Sequence, residues 1–259
     1  MNTHMRRSPA ADADKWLVCP RRNPAARVSL VCFASAGHGP SMFRSWSPLL
    51  PAEIELSIAQ LPGREARWNE KAATGLAHVI PGLVEAVRSL PARPLVLFGH
   101  SLGALVAFEV ARALRSATGA EPQHLFVSAH RAAQLPNRHS RISELGDAEF
   151  VAAVNGRHGG VPPDVAANRE LMELMLPSLK ADYRMFEDYR FAATSPLACP
   201  VTAFGGTADE YISQSELESW RAQTSGAFSV RMFDGGHFFV NDLRSRVVAT
   251  IVQGLAVSV

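Results

Sequence analysis

The chain has 259 residues, with 26 Lys and Arg against 24 Asp and Glu and 47% hydrophobic residues, which excludes a disordered or fibrous protein. Its formal charge of +2 comes from interleaved acids and bases rather than a basic stripe, which argues against nucleic acid as a partner. Glu109 and Arg112 interrupt the longest apolar candidate, Leu95 to Leu114, short of the ~18 residues of a membrane span, so no membrane partner is expected. Arg6-Arg7 lacks the apolar segment of an export signal, because two Asp and a Lys follow it. Cys19, Cys32 and Cys199 are odd in number, widely spaced and set among apolar neighbours. They read as small core residues of a monomeric, cytoplasmic protein without disulfides.

In chain order, residues 1–13 are polar and aperiodic, as expected of a mobile tail. Short apolar runs then alternate with helical periodicity. Val28-Phe33, Ile54-Leu61, Leu95-Phe98, Leu125-Ser128, Val201-Phe204 and Val230-Phe233 predict buried strands. Gly75 to Leu90 and Leu102 to Ser116 carry apolar residues at helical spacing. This alternation predicts an α/β fold with a mainly parallel central sheet flanked by helices. The rhythm fails between His130 and Leu197, a stretch far longer than one crossover, and an insertion is the simplest account. The spacing predicts two helices there, Asn168 to Leu176 and Pro177 to Tyr189, with Pro177 at a first helical position. Leu171, Leu174, Met175, Leu179, Tyr183 and Phe186 fall on one face; core packing is the default reading of that stripe and a moving lid the alternative.

Gly99-His100-Ser101-Leu102-Gly103 joins a predicted strand to a predicted helix with no linker. In that setting a G-x-S-x-G pattern forces the serine onto a sharp turn above the sheet. A serine hydroxyl is a poor nucleophile until a base takes its proton, so a histidine and an orienting acid must follow. Asp209 follows the strand ending at Phe204, and His237 follows the one ending at Phe233. Asp234 and Glu210 are the less well placed alternatives for the acid. Each element alone has a bland reading as turn or loop; together they fall in the order Ser, Asp, His, each after a strand. The oxyanion of acyl transfer needs backbone donors, for which the positions are the amides of Leu102 and, in the loop after Val28-Phe33, Ala36. A dinucleotide loop at Gly37-x-Gly39 fails because Met42 stands at the third glycine, and no histidine spacing suits a metal. Alternation along the strand should turn His100 away from Ser101.

These residues and their neighbours resemble the stand-alone type II thioesterases of polyketide synthases and non-ribosomal peptide synthetases. The resemblance runs from about Val28 to Leu243. Its pieces are Ala36-Gly37 with Phe43-Arg44-x-Trp46, Leu61-Pro62-Gly63-Arg64-Glu65, the Ser101 elbow, Leu179-Lys180-Ala181-Asp182-Tyr183 and Gly235-Gly236-His237-Phe238-Phe239. It implies an α/β-hydrolase core (14–130 and 191–259) with a helical lid (131–190) inserted after the sixth strand. It further implies hydrolysis of stalled or aberrant short acyl or aminoacyl groups from the phosphopantetheine arm of acyl or peptidyl carrier proteins, without a cofactor of the enzyme's own. The family's triad carries over to Ser101, Asp209 and His237, and its oxyanion amides to Ala36 and Leu102. The early loop departs from the family's pattern at Ala34-Ser35-Ala36-Gly37-His38, which leaves the backbone donor but changes the pocket around His38.

The same machinery serves oxygen esters, so an esterase or lipase is the alternative enzyme and a silent synthase-docking module the alternative of another class. Arg64, Arg67, Arg131, Arg138 and Arg141 are candidate contacts for an acidic carrier.

Overall fold

The computed structural model describes residues 15–158, 160–161 and 163–256, so the expected tail at 1–13 lies outside the described residues. Seven strands form one sheet: β1 Leu17–Val18, β2 Val28–Phe33, β3 Ile54–Ala59, β4 Leu95–His100, β5 His124–Ser128, β6 Val201–Gly206 and β7 Phe228–Phe233. Their order across the sheet is β1-β3-β2-β4-β5-β6-β7. Only the β1–β3 pair is antiparallel. This is the mainly parallel α/β sheet that the alternation predicts, and it agrees with the α/β-hydrolase core that the resemblance implies. The two-residue β1 escapes pattern reading because so short a strand has no period.

Side chains alternate across the sheet, and each face buries its own core. Val31, Leu97, Leu125, Val127 and Val201 pack beneath α2 (Ile80–Arg88) and α3 (Leu102–Thr118). Leu30, Val96, Phe98, Phe126 and Phe204 face the other way. There they meet Phe43 of the short α1 (Ser41–Arg44) and Val247, Val248 and Ile251 of the C-terminal helix α9 (Arg244–Ala256). Both faces are covered, as a buried parallel sheet requires. Between β6 and β7 lies α7 (Gln214–Glu218), whose Ser213 and Glu216 form a capping box; α8 (Phe239–Asp242) precedes α9.

Between β5 and β6 the chain forms α4 (Asp147–His158), α5 (Pro163–Ala166) and α6 (Arg169–Glu187). These helices follow the fifth of the seven described strands rather than the sixth. The two helices predicted around Pro177 are one. Pro177 removes the amide that would bond the carbonyl of Glu173, and both residues are exposed, where the loss of that bond costs least. Packing of Leu179 and Tyr183 against Ile142, Phe150, Val154 and Val161 holds the helix beyond the proline. The expected stripe divides accordingly: Leu179 and Tyr183 are core, whereas Leu171 and Leu174 are 43% and 53% exposed.

Cys32 and Cys199 are buried, and burial raises both thiol pKa values, that of Cys199 to about 12. Cys19 is half-exposed beside the sheet edge and departs from the expected core position. Among the described residues no helix is long and apolar enough to cross a membrane.

Candidate active site

The serine's position follows from backbone sterics. Ser101 stands between β4 and α3 at φ 54° and ψ −121°, a region that costs roughly 1–3 kcal/mol and persists only where the surroundings enforce it. Two close approaches enforce it here. A Cβ on Gly99 would lie 2.0 Å from the carbonyl oxygen of Gly103, and one on Gly103 would lie 2.0 Å from the carbonyl oxygen of Phe33. Strand, helix and neighbouring strand therefore meet only if both residues are glycine. The amide of Ser101 donates to the carbonyl of Ser128 at 2.8 Å, tying the turn to β5.

His237 arrives from the loop after β7, with Nε2 3.0 Å from Ser101 Oγ and Nδ1 2.8 Å from Asp209 Oδ2. A carboxylate accepts only, so Nδ1 carries the proton and Nε2 turns its lone pair to the serine hydroxyl. Asp209 Oδ1 accepts from the amides of Tyr211 and Ile212 at 2.9 and 3.3 Å, which fixes the carboxylate while Oδ2 holds the imidazole. Both side chains are nearly inaccessible, at 5% for His237 and 1% for Asp209. The alternative acid Asp234 instead accepts from Thr207 Oγ1 at 3.4 Å. His100 is fully buried with Nδ1 2.9 Å from Ser128 Oγ, and its ring centroid lies 5.4 Å from that of His237.

Ala36 and Leu102 line the same cavity, of about 50 Å³, as Ser101 and His237. Leu102 opens α3, where an amide has no acceptor within its own helix. Ala36 is the second residue of a turn closed by the amide of His38 on the carbonyl of Ser35 at 3.1 Å. Gly37 follows at φ 76°, the positive angle a type II turn demands there. That turn does not consume the Ala36 amide. His38 is half-buried, with Nδ1 3.0 Å from Ser35 Oγ, and burial lowers its pKa. Among the described residues no group of three or more His, Cys, Asp or Glu could hold a metal ion.

Two residues quoted in the resemblance acquire a place that sequence reading did not assign. Asp182 of α6 is fully buried and receives both Nη nitrogens of Arg64, at 2.6 and 2.8 Å. Its Oδ2 also accepts from the Gly37 amide at 2.7 Å, next to Ala36. The available signal was a carboxylate three residues after Leu179 on an apolar helix face, which must be paired when buried. Arg64, Arg67 and Arg131 are each 6% exposed, so they are not the surface contacts expected; only Arg138 and Arg141 of the five are exposed. Arg64 and Arg67 have partners in Asp182 and Glu70.

A serine, an imidazole and a carboxylate joined in line above the ends of β4, β6 and β7 define a serine hydrolase of the α/β-hydrolase class. Within it, the chain belongs to the thioesterase family, since the Thioesterase domain model matches residues 28–254. The gramicidin S biosynthesis protein GrsT of Aneurinibacillus migulanus is 37% identical over 245 residues, which cover 95% of each chain. The type II thioesterase BorB from the borrelidin biosynthetic cluster superposes with a TM-score of 0.85 at 31% identity, covering 93% of this chain and 97% of that one. The thioesterase RedJ from the prodiginine pathway of Streptomyces coelicolor gives 0.82 at 35% identity, covering 89% and 91%. The chain therefore falls among the type II thioesterases of polyketide and non-ribosomal peptide pathways and is a hydrolase of thioesters.

Proposed function

We propose that this enzyme releases short acyl groups from the phosphopantetheine arm of acyl or peptidyl carrier proteins, with Ser101 as nucleophile, His237 as general base and Asp209 as the acid that orients it. The continuous Ser101–His237–Asp209 hydrogen-bond line carries this reading. Ser101 Oγ attacks the thioester carbon as its proton passes to His237 Nε2, and the negative oxygen is held by the amides of Ala36 and Leu102. The imidazolium returns that proton to the departing thiolate. Water, deprotonated by the same nitrogen, then attacks the acyl-serine ester and frees the carboxylic acid and Ser101. Asp209 keeps the proton on Nδ1 throughout and stabilises the cationic ring. The reaction draws on side chains and backbone amides alone.

The segment 131–190 is the lid in this reading. Its helix α6 lays Tyr183 and Phe186 along the cavity, and its Asp182 holds the turn that presents Ala36. The cavity's small size favours short chains. The test is hydrolysis of a panel of acyl-loaded carriers by wild type and Ser101→Ala. Wild type is expected to turn over short acyl-carriers, and the variant to lose about 10⁴-fold or more in kcat. Preference of the wild type for a matched oxygen ester would reject the carrier substrate; full activity of Ser101→Ala would reject the nucleophile.

A further inference from the structure

Asp182 and Arg64 hold only the first half of the loop that presents Ala36. The loop runs from the end of β2 at Phe33 to Ser41, where α1 begins. In its first half, Asp182 Oδ2 accepts from the Gly37 amide at 2.7 Å and Arg64 Nη1 donates to the His38 carbonyl at 3.2 Å. The second half is held by the residue that follows Arg64 in the chain. Glu65 Oε1 accepts from the Ser41 amide at 3.0 Å and from Ser41 Oγ at 2.7 Å. Pro40, at the capping position of α1, offers no side-chain acceptor, so Glu65 satisfies from 24 residues away an amide that the helix itself leaves unbonded.

Local backbone strain accompanies this contact. Glu65 stands at φ 43°, one of three described non-glycine residues with a positive φ, and the other two, Ser101 and Ala129, border the cavity. Such a conformation persists only where the surroundings enforce it. Here two consecutive side chains of opposite charge grip one loop at His38 and at Ser41. Only Gly39 and Pro40 lie between the gripped positions, and the proline ring fixes φ at −54°. Gly39 is therefore the soft joint of the segment. The carboxylate lies against that joint: a Cβ on Gly39 would come within 2.5 Å of Glu65 Oε1. The other oxygen, Oε2, is 3.7 Å from Nη2 of an Arg44 side chain that is 59% exposed, a pairing worth little in water.

We infer that Glu65 is a positioning residue for the oxyanion hole: by anchoring Ser41 and backing Gly39 it closes the loop at the end that Asp182 does not reach, and so fixes the amide of Ala36 on the forming oxyanion. This rests on the proposed assignment of that amide and deepens it. Glu65 does not line the cavity and acts through the loop alone. An amide stabilises a developing charge in proportion to how well it is aimed before the charge appears. A loop gripped at His38 and free at Ser41 could pivot about Gly39 and take the turn that carries Ala36 with it. Substrate binding before attack makes no such demand on the amide, so the contribution of Glu65 falls on the chemical step.

The test compares Glu65→Ala, Glu65→Gln and Gly39→Ala with wild type on an acetyl-loaded carrier, each rate divided by the fraction of Ser101 that a fluorophosphonate titrates. Glu65→Ala is expected to lower kcat about 10-fold with KM unchanged, less than the 10²–10³ lost when a donor is removed outright. Glu65→Gln keeps an oxygen for Ser41 and should recover most of that loss. Gly39→Ala displaces the carboxylate without altering it and should match Glu65→Ala, which keeps the inference testable if Glu65→Ala fails to fold. The second readout is an acyl trifluoromethyl ketone: Ser101 Oγ adds to its carbonyl carbon, the Oγ proton passes to His237, and the carbonyl oxygen becomes an anion in the hole. Its affinity should fall by the same factor as kcat. An unchanged kcat per titrated serine, a rise in KM alone, or a fall in kcat without a matching loss of ketone affinity overturns the inference. If wild type turns over no acyl-carrier, the carrier reading fails, while ketone affinity and hydrolysis of p-nitrophenyl acetate still decide the role of Glu65.

Discussion

The turn that holds Ser101 and the turn that holds Ala36 face one cavity but are secured by opposite means. Around Ser101 the restraint is steric and made of backbone: two glycines let a strand, a helix and a neighbouring strand touch, and one amide reaches β5. Around Ala36 the restraint is electrostatic and made of side chains: a buried carboxylate on α6 takes the guanidinium of Arg64 and the amide of Gly37 at once. Steric restraint is insensitive to salt and pH. A buried charged pair is strong only while complete, because removal of either member strands the other in low dielectric.

The comparison can be broken first at the histidine. Asp209→Asn keeps the size of the side chain and both backbone contacts at Oδ1, but permits the wrong imidazole tautomer. It is expected to lower kcat on an acyl-carrier by about 10⁴-fold with little change in KM, measured by steady-state hydrolysis. Next in size is the buried pair. Asp182→Asn should cost about 3–5 kcal/mol of stability in urea unfolding, because Arg64 then stays charged without a partner. Replacing both members, Arg64→Met with Asp182→Leu, should recover much of that loss while still lowering activity, since Gly37 has lost its acceptor.

The smallest expected effect sharpens the electrostatic side. His130 is buried in the cavity wall, and burial drives its pKa down to about 3. The unfolded chain thus binds a proton near pH 6.5 that the folded chain refuses until about pH 3, so stability falls as pH drops through that window. This one group accounts for about 2 kcal/mol by pH 5. The pH dependence of unfolding should therefore be shallower in His130→Gln than in wild type; parallel curves would show that the ring is not desolvated as described.

That Ser101, Asp209 and His237 come together was legible because each follows an apolar run, and glycines mark the sharp turns beside two of them. Local chemistry writes such features into short stretches of sequence. The six long strands were legible for the same reason, and only their ends shifted. Asp182 and Arg131 were not. One pairs across 118 residues with Arg64, and the other lies with its guanidinium 4.9 Å from the ring centroid of Phe186, and neither property has a local signature. Pro177 misled because a proline on an exposed helix face leaves a carbonyl open to solvent, so the helix runs on through it.

The contact from Asp182 to Gly37 joins positions 145 residues apart, one residue away from the amide assigned to the oxyanion. Remodelling this enzyme for bulkier chains by prising α6 outward would thus disturb the chemistry along with the space. Substitutions that enlarge the chamber from the β5 side leave that tether whole and offer the safer route to altered substrate range.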